Sequence, residues 1–283
     1  SRIRNGEQRI VFASPESLFG VLGDVLADSA AAGQIGQFVV DEAHMVASWG
    51  TDFRPDFQAL GGFRRRLKDG AEEIGVPFRT VLLSATITQA DIATLSDLFA
   101  DSGQMVVAGA PSLRPEISYL ASEATNRTER LKRVREAVMH LPRPLFVYGS
   151  THEDVREISD AFRADGFQRF TSVTGNSSES ERRDSVAGLR GDNEDGLPTI
   201  DLAVGTSAFG LGIDVPDVRA VVHACLPETL DRYYQEVGRS ARDGLGALAL
   251  LIWTSDDLNV ARSLNRKKVI GVDLEKNIKD VCG

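Results

Sequence analysis

Asp41 and Glu42 close a short apolar run, Phe38-Val39-Val40. Two acids at the tip of a buried strand can divide one task. The first can hold a magnesium ion, usually through water, and the second can polarise an attacking water. His44 follows two residues later. Far along the chain, Arg239 and Arg242 stand three apart, so both guanidinium groups sit on one turn and can neutralise charge that develops on a phosphate. Ser84 and Thr86 flank an alanine at the end of another apolar run. Each set has a plainer reading. Strand-end acids can be structural, a Gly-Arg-x-x-Arg can be a salt-bridging helix end, and Ser-Ala-Thr alone is weak evidence.

The elements that would carry these residues alternate. Short β-rich runs are followed by longer amphipathic stretches, the pattern of parallel α/β units. In the first half, residues 9–13, 37–41 and 79–84 are predicted strands, and 15–29, 55–68 and 88–98 are predicted helices. Pro15 suits a first helical turn after a Ser14 cap. Residues 108–115, with Gly109, Pro111 and Pro115, are punctuated like a linker. The second half repeats the alternation, with strands at 144–148, 170–173, 200–204, 220–223 and 247–253 and helices at 151–164, 178–189 and 229–237. Residues 191–198 read as an acidic, glycine-rich surface loop. In such sheets ligands gather at the carboxyl ends of the strands, where the chemistry-bearing residues fall.

Beyond the acids, residues 43–57 place Trp49, Phe53 and Arg54 on a loop. Exposed aromatics can stack on bases, contributing about 1–3 kcal/mol each, and an arginine can hold a phosphate. A hydrophobic loop plugging its own domain would look similar. However, the run Trp49-Gly50-Thr51-Asp52-Phe53-Arg54-Pro55, preceded by Asp41-Glu42-Ala43-His44, closely resembles the aromatic-rich loop and DEAH motif of the RecQ-like superfamily 2 DNA helicases. Other motifs of that family follow in order. Ser84-Ala85-Thr86 resembles motif III and Leu145 to Ser150 motif IV. Val204-Gly205-Thr206-Ser207-Ala208-Phe209-Gly210-Leu211-Gly212-Ile213-Asp214 resembles motif V, and Tyr233 to Gly244 motif VI. Two departures stand out. Asp214 replaces the family's usual Asn, and Ser240-Ala241 stands where it usually has Ala-Gly; both of the latter residues are small, so the turn is expected to keep its geometry.

The resemblance runs from about residue 9 to 264 and implies an ATP-driven motor of two RecA-like parallel-sheet lobes, the first incomplete. Residues 1–110 would be the C-terminal part of the first lobe, 111–265 the second, and 266–283 the start of a following segment. The implied cofactors are ATP and Mg²⁺. Asp41 would hold the metal, Glu42 would activate water, and His44 would link the acids to the other lobe. Gly210, Gly212, Asp214, Gln235, Arg239 and Arg242 would contact the nucleotide. Ser84 and Thr86, with Trp49, Phe53 and Arg54, would couple DNA to ATP. The last three, together with Ser150, Thr174 and Thr206, would touch DNA, both single strands and duplex junctions, with 3′-to-5′ polarity. Ser150 could alternatively cap the helix that follows it.

Composition sets the outer limits. The chain has 283 residues, 42% hydrophobic and 26% charged, as expected of two ordinary globular domains. No apolar run is long enough to span a bilayer. Two cysteines, Cys225 and Cys282, give no disulfide framework and fit a reducing cytoplasm, a bacterial cytoplasm or nucleoid being the expected location. A net charge of -9 argues against a surface that is all nucleic-acid glove. The basic stretches Arg64 to Lys68 and Arg127 to Arg135 read first as solvated helix faces and second as a DNA track. No Gly-x-x-x-x-Gly-Lys-Ser/Thr occurs, so the phosphate cradle is missing, and the chain alone is expected to be inactive. Two other functions remain open. One is a non-catalytic nucleic-acid-binding module, and the other, supported only by Asp214, is an RNA remodelling enzyme.

Overall fold

The computed structural model describes residues 1–47, 55–101, 103, 105–109, 112–210, 215 and 217–265. The chain divides into two compact units, whose described parts fall within Ser1–Ala110 and Pro111–Arg266. In the first, α1 (Val21–Ala31), β1 (Gln37–Val40), α2 (His44–Ala47), α3 (Pro55–Glu73), β2 (Arg79–Leu82) and α4 (Gln89–Phe99) follow one another. Strands β1 and β2 pair in parallel, with Val40 opposite Leu82. The core under them gathers Leu18, Val40, Val46, Phe63, Leu67, Leu95 and Phe99. Arg64 is buried in it because its charge is fully answered. Its Nε donates to Thr80 Oγ1 at 2.7 Å, and its two terminal nitrogens fork onto the carboxylate of Asp101 at 2.8 and 2.5 Å.

Two expectations fail in this unit. Residues 9–13 form no strand, and Ile10 and Phe12 are 65% and 94% exposed. Among the described residues β1 and β2 pair only with each other, so no ladder offsets the entropy of extending this segment. The helix predicted over 15–29 is broken. Pro15–Phe19 is a 3₁₀ turn and Gly20 is extended, after which α1 begins. A side chain at Gly23 would lie 1.9 Å from the carbonyl of Leu18, so the break and the glycine go together.

The second unit contains β3 (Ile117–Glu123), α5 (Arg127–His140), β4 (Leu145–Tyr148), α6 (His152–Ala164), β5 (Phe170–Val173), α7 (Glu179–Arg190), β6 (Leu202–Gly205), β7 (Ala220–His223), α8 (Leu230–Val237), β8 (Ala247–Trp253) and α9 (Asp257–Asn265). Among the described residues its six strands are all parallel, in the order β3-β8-β7-β4-β6-β5. Period-two alternation divides each central strand between two cores. Leu145, Val147, Leu202 and Val204 face one, while Phe146, Tyr148, Ala203 and Val221 face the other. Strand β3 has no counterpart among the sequence-based assignments, and the strand read at 200–204 is observed at Leu202–Gly205. The helix starts agree closely, because Thr88, Thr151 and Ser178 each cap through a reciprocal box with an acid three residues on.

The basic stretches are helix faces engaged with acids. Arg66 meets Asp24 and Lys68 meets Asp101 and Glu72. Arg130, 6% exposed, bridges Asp154 and Asp257, while Arg127, Arg133 and Arg135 pair with Glu157, Glu129 and Asp165.

Candidate functional site

The pairing of β1 with β2 continues past both strands. Leu83 N–H donates to Val40 O and Ala43 N–H to Leu83 O, each at 2.8 Å. These two bonds fasten the acid loop after β1 to the Ser84 loop after β2. Asp41 and Glu42 are exposed at the strand tip, and Glu42 N–H donates to Asp41 Oδ1 at 2.9 Å. Glu42 has φ of +49°, the left-handed region, where a non-glycine residue is strained by about 1–2 kcal/mol. In this conformation its side chain lies beside His44, whose Nδ1 is 3.3 Å from Glu42 Oε2 and 3.0 Å from Ser84 Oγ.

Donor bookkeeping fixes the direction of that contact. The Ser84 hydroxyl gives its proton to Thr86 O, so its oxygen can only accept from the ring. On that assignment His44 donates from Nδ1 to Ser84, with Glu42 Oε2 lying 3.3 Å away beside it. Thr86 N–H closes the turn on Ser84 Oγ at 3.3 Å. The structure thus joins Glu42, His44, Ser84 and Thr86, residues picked out separately in the sequence. Within the described contacts, the ring bridges the acid to the hydroxyl of its own unit.

In the second unit, Ser150, Thr174 and Thr206 follow β4, β5 and β6, which are neighbours in the sheet. Their three positions lie along one sheet edge at the carboxyl ends of the strands. Thr206 is 7% exposed, and its N–H donates to Val173 O at 3.3 Å. Gly205 is required for this approach, since a Cβ there would lie 2.5 Å from Phe209 Cβ and 2.7 Å from Val173 O. Arg182 braces the neighbouring turn by donating to Gly175 O at 2.9 Å. Thr151, not Ser150, caps α6. Thr151 fits because its side chain, extended one residue nearer the helix, reaches Asp154 N–H at 3.1 Å. Ser150 instead faces Cys225, whose buried thiol is pushed up to about 12, chiefly by burial.

Helix α8 ends at Val237, so Arg239 and Arg242 stand on a non-helical turn. Arg239 N–H donates to Glu236 O at 3.3 Å, and Ala241 N–H donates to Val218 O at 3.1 Å. Ala241 has φ of +55°. Its position favours glycine, a conformational demand that residue size alone does not reveal. Nε of Arg239 is buried without a hydrogen-bond partner. Gln235 is half-buried on α8 and Arg242 is exposed. Gly210 ends the 3₁₀ turn Ser207–Gly210, while Trp49, Phe53, Arg54, Gly212, Asp214 and Cys282 lie outside the described residues.

Three residues that build this turn carry no signal in the sequence. His223, at the tip of β7 and fully buried, meets Glu236 Oε2 through Nε2 at 2.8 Å. Its ring stacks on Tyr148 with centroids 5.2 Å apart. Burial and the nearby Glu236 push the Tyr148 phenol above its ordinary value, while Arg239 and Arg242 oppose the shift. The third residue is Arg114, whose guanidinium donates to carbonyls of the turn itself. His223 and Glu236 are 13 residues apart, and Arg114 lies more than 120 residues from its acceptors, so no local pattern links them.

The family description "DEAD/DEAH box helicase" matches residues 1–95, and "Helicase conserved C-terminal domain" matches residues 129–244. The chain is 30% identical to the probable ATP-dependent DNA helicase RecS of Bacillus subtilis, over 90% of this chain and 48% of that protein. It is 28% identical to ATP-dependent DNA helicase RecQ of Haemophilus influenzae, over 91% of this chain and 38% of that one. Among solved structures, the DUF1998 helicase MrfA bound to DNA and AMPPNP superimposes with a TM-score of 0.65 at 20% identity, covering 93% of this chain and 38% of MrfA. That likeness concerns the fold, two RecA-like α/β units with parallel sheets. The chain spans half or less of the length of both curated relatives.

Proposed function

Because the chain belongs to the RecQ-like DEAD/DEAH-box helicases, we propose that it forms the greater part of an ATP-driven motor that moves 3′-to-5′ along DNA and separates strands. The observation that carries the reading is the His44 bridge, which links the water-activating acid Glu42 to Ser84 at the tip of the neighbouring strand. A strand-end acid pair kept only for structure has no need of a shared, strained geometry.

The residues present fit ATP and magnesium. Exposed carboxylates at Asp41 and Glu42 are hard oxygen donors, and the unpartnered Nε of Arg239 is a donor suited to a phosphate. Bound ATP·Mg²⁺ would supply the phosphoanhydride bond and the charge that offsets its phosphates. Asp41 would hold the metal and Glu42 would orient and deprotonate water. Arg239 and Arg242 would meet the phosphates, with Gln235, Gly210, Gly212 and Asp214 against the rest of the nucleotide. Ser150, Thr174 and Thr206 would hold the DNA backbone while Trp49, Phe53 and Arg54 report its presence. The sequence contains no lysine-bearing phosphate loop, and on this reading that group would come from outside these residues.

The test compares this chain with the complete protein that carries it. The chain alone should show no ATPase, with or without DNA. The complete protein should separate 3′-tailed duplexes with ATP and leave 5′-tailed ones intact. DNA-stimulated turnover by the chain alone would overturn the need for an external phosphate loop. Failure to separate either duplex would overturn the motor itself.

A further inference from the structure

Arg114 lies just after the boundary between the two units, in the punctuated segment that joins them. Its guanidinium does not face solvent or an acid alone. Nη1 donates to Gly238 O at 3.2 Å and to Ser240 O at 2.9 Å, and Nη2 donates to Ala241 O. Nε faces Glu116 Oε2 at 3.5 Å. Nearby, the hydroxyl of Tyr234 donates to Ser112 O at 3.3 Å, so the same segment is also pinned to α8 itself.

We propose that Arg114 is a positioning residue that sets the direction of Arg239 and Arg242. Each carbonyl belongs to a planar peptide unit, so fixing its oxygen fixes that plane. The three gripped planes are those joining 238 to 239, 240 to 241 and 241 to 242. They comprise three of the four planes between Gly238 and Arg242, and they fix the backbone from which both arginines project. Two of them flank Ala241, the residue held at φ of +55°. A left-handed alanine relaxes unless its surroundings hold it, and Arg114 holds the carbonyl on either side. The task needs a planar fork with several donors, which a lysine does not offer. Glu236 completes the support: its side chain is fixed to His223 while its carbonyl accepts from Arg239 N–H.

The inference rests on the motor reading above only for its consequence, the rate of hydrolysis; the clamp itself is tested separately. In this chain, Arg114→Met should speed exchange of the amides between 238 and 244 by about tenfold, while those of β4 and β6 stay protected. In the complete protein, the same substitution should lower DNA-stimulated kcat on the order of 10–100-fold, as misplacement of a catalytic group does. KM for ATP should stay within about twofold and DNA affinity should hold, because ground-state binding is not what is lost. Millimolar guanidinium should restore part of kcat to Arg114→Ala and none to Arg239→Ala.

Unchanged exchange around the turn would overturn the clamp. So would a loss of kcat that guanidinium does not rescue and that follows a fall in melting temperature, since that is the mark of a structural role alone. If the wild-type complete protein hydrolyses no ATP, the motor reading fails and the exchange measurement alone decides the clamp.

Discussion

At Glu42 and at Ala241 the backbone enters the left-handed region, and both positions border groups that would meet ATP. Each costs about 1–2 kcal/mol, so each must be held by neighbours. At Glu42 the holders are Asp41 Oδ1 and the bond from Ala43 N–H to Leu83 O; at Ala241 they are Arg114 and Val218 O. A β-branched residue is least tolerated there, and Ala241 is fully buried. Ala241→Val should therefore destabilise the second unit by about 2 kcal/mol or more, and Ala241→Gly should change stability by less than about 1 kcal/mol. Urea denaturation reads both, and a valine as stable as wild type would contradict the left-handed assignment. Trp49 belongs to the same scale. Trp49→Ala should remove one base stack, lowering DNA affinity by about 1–3 kcal/mol at most, because phosphate contacts supply the larger share. DNA-stimulated ATPase and strand separation should fall much further than binding. Equal losses in parallel titrations would make the loop a mere binding surface, and no loss would make it a structural plug.

Elements were legible where local chemistry decides them. The helix starts read at Thr88, Thr151 and Ser178 and the continuous apolar runs of β4 and β7 are written in a few adjacent residues each. Residues 9–13 have the composition of a strand but lack a partner among the described residues, and partnership is not local information. The break at Gly20 goes with the close approach of Gly23 to the Leu18 carbonyl, again beyond any periodicity. The acids, the motif III hydroxyls and the arginine pair could be picked out by type and spacing. Arg114, His223 and Glu236 could not, since their partners are distant in sequence. The basic runs took the helix-face reading because most of their side chains found a carboxylate, as Arg64, Arg66, Lys68, Arg127, Arg130, Arg133 and Arg135 do. One of these carboxylates, Asp101, carries a testable pH signature. Arg64 first, and then Lys68, hold its carboxyl well below the ordinary 3.8. A carboxylate depressed in the folded state stabilises above its unfolded value and loses that contribution as pH falls through its folded value. Asp101→Asn should thus lower the melting temperature at neutral pH, and the gap from wild type should close as pH drops below about 4. A gap that persists unchanged into acid would rule out the ion pair as its source.

Each unit presents its chemistry at the carboxyl ends of parallel strands, as the α/β pattern requires. The first offers Asp41, Glu42 and the His44–Ser84 bridge, and the second offers the Ser150, Thr174 and Thr206 edge; the arginine turn departs from that expectation and is tethered on the amino side of β7, where Ala241 N–H reaches Val218 O. Among the described residues no helix is long and apolar enough to cross a membrane. What unites the molecule functionally is the assignment of Glu42 as the group that activates water, and one substitution addresses it. In the complete protein, Glu42→Gln keeps the size and hydrogen-bonding reach of the side chain but cannot accept the proton of an attacking water. Nucleotide affinity and DNA-stimulated turnover are to be measured on that variant and on the wild type side by side. The account predicts ATP binding within a few-fold of wild type and no measurable hydrolysis. Wild-type turnover in Glu42→Gln would contradict it.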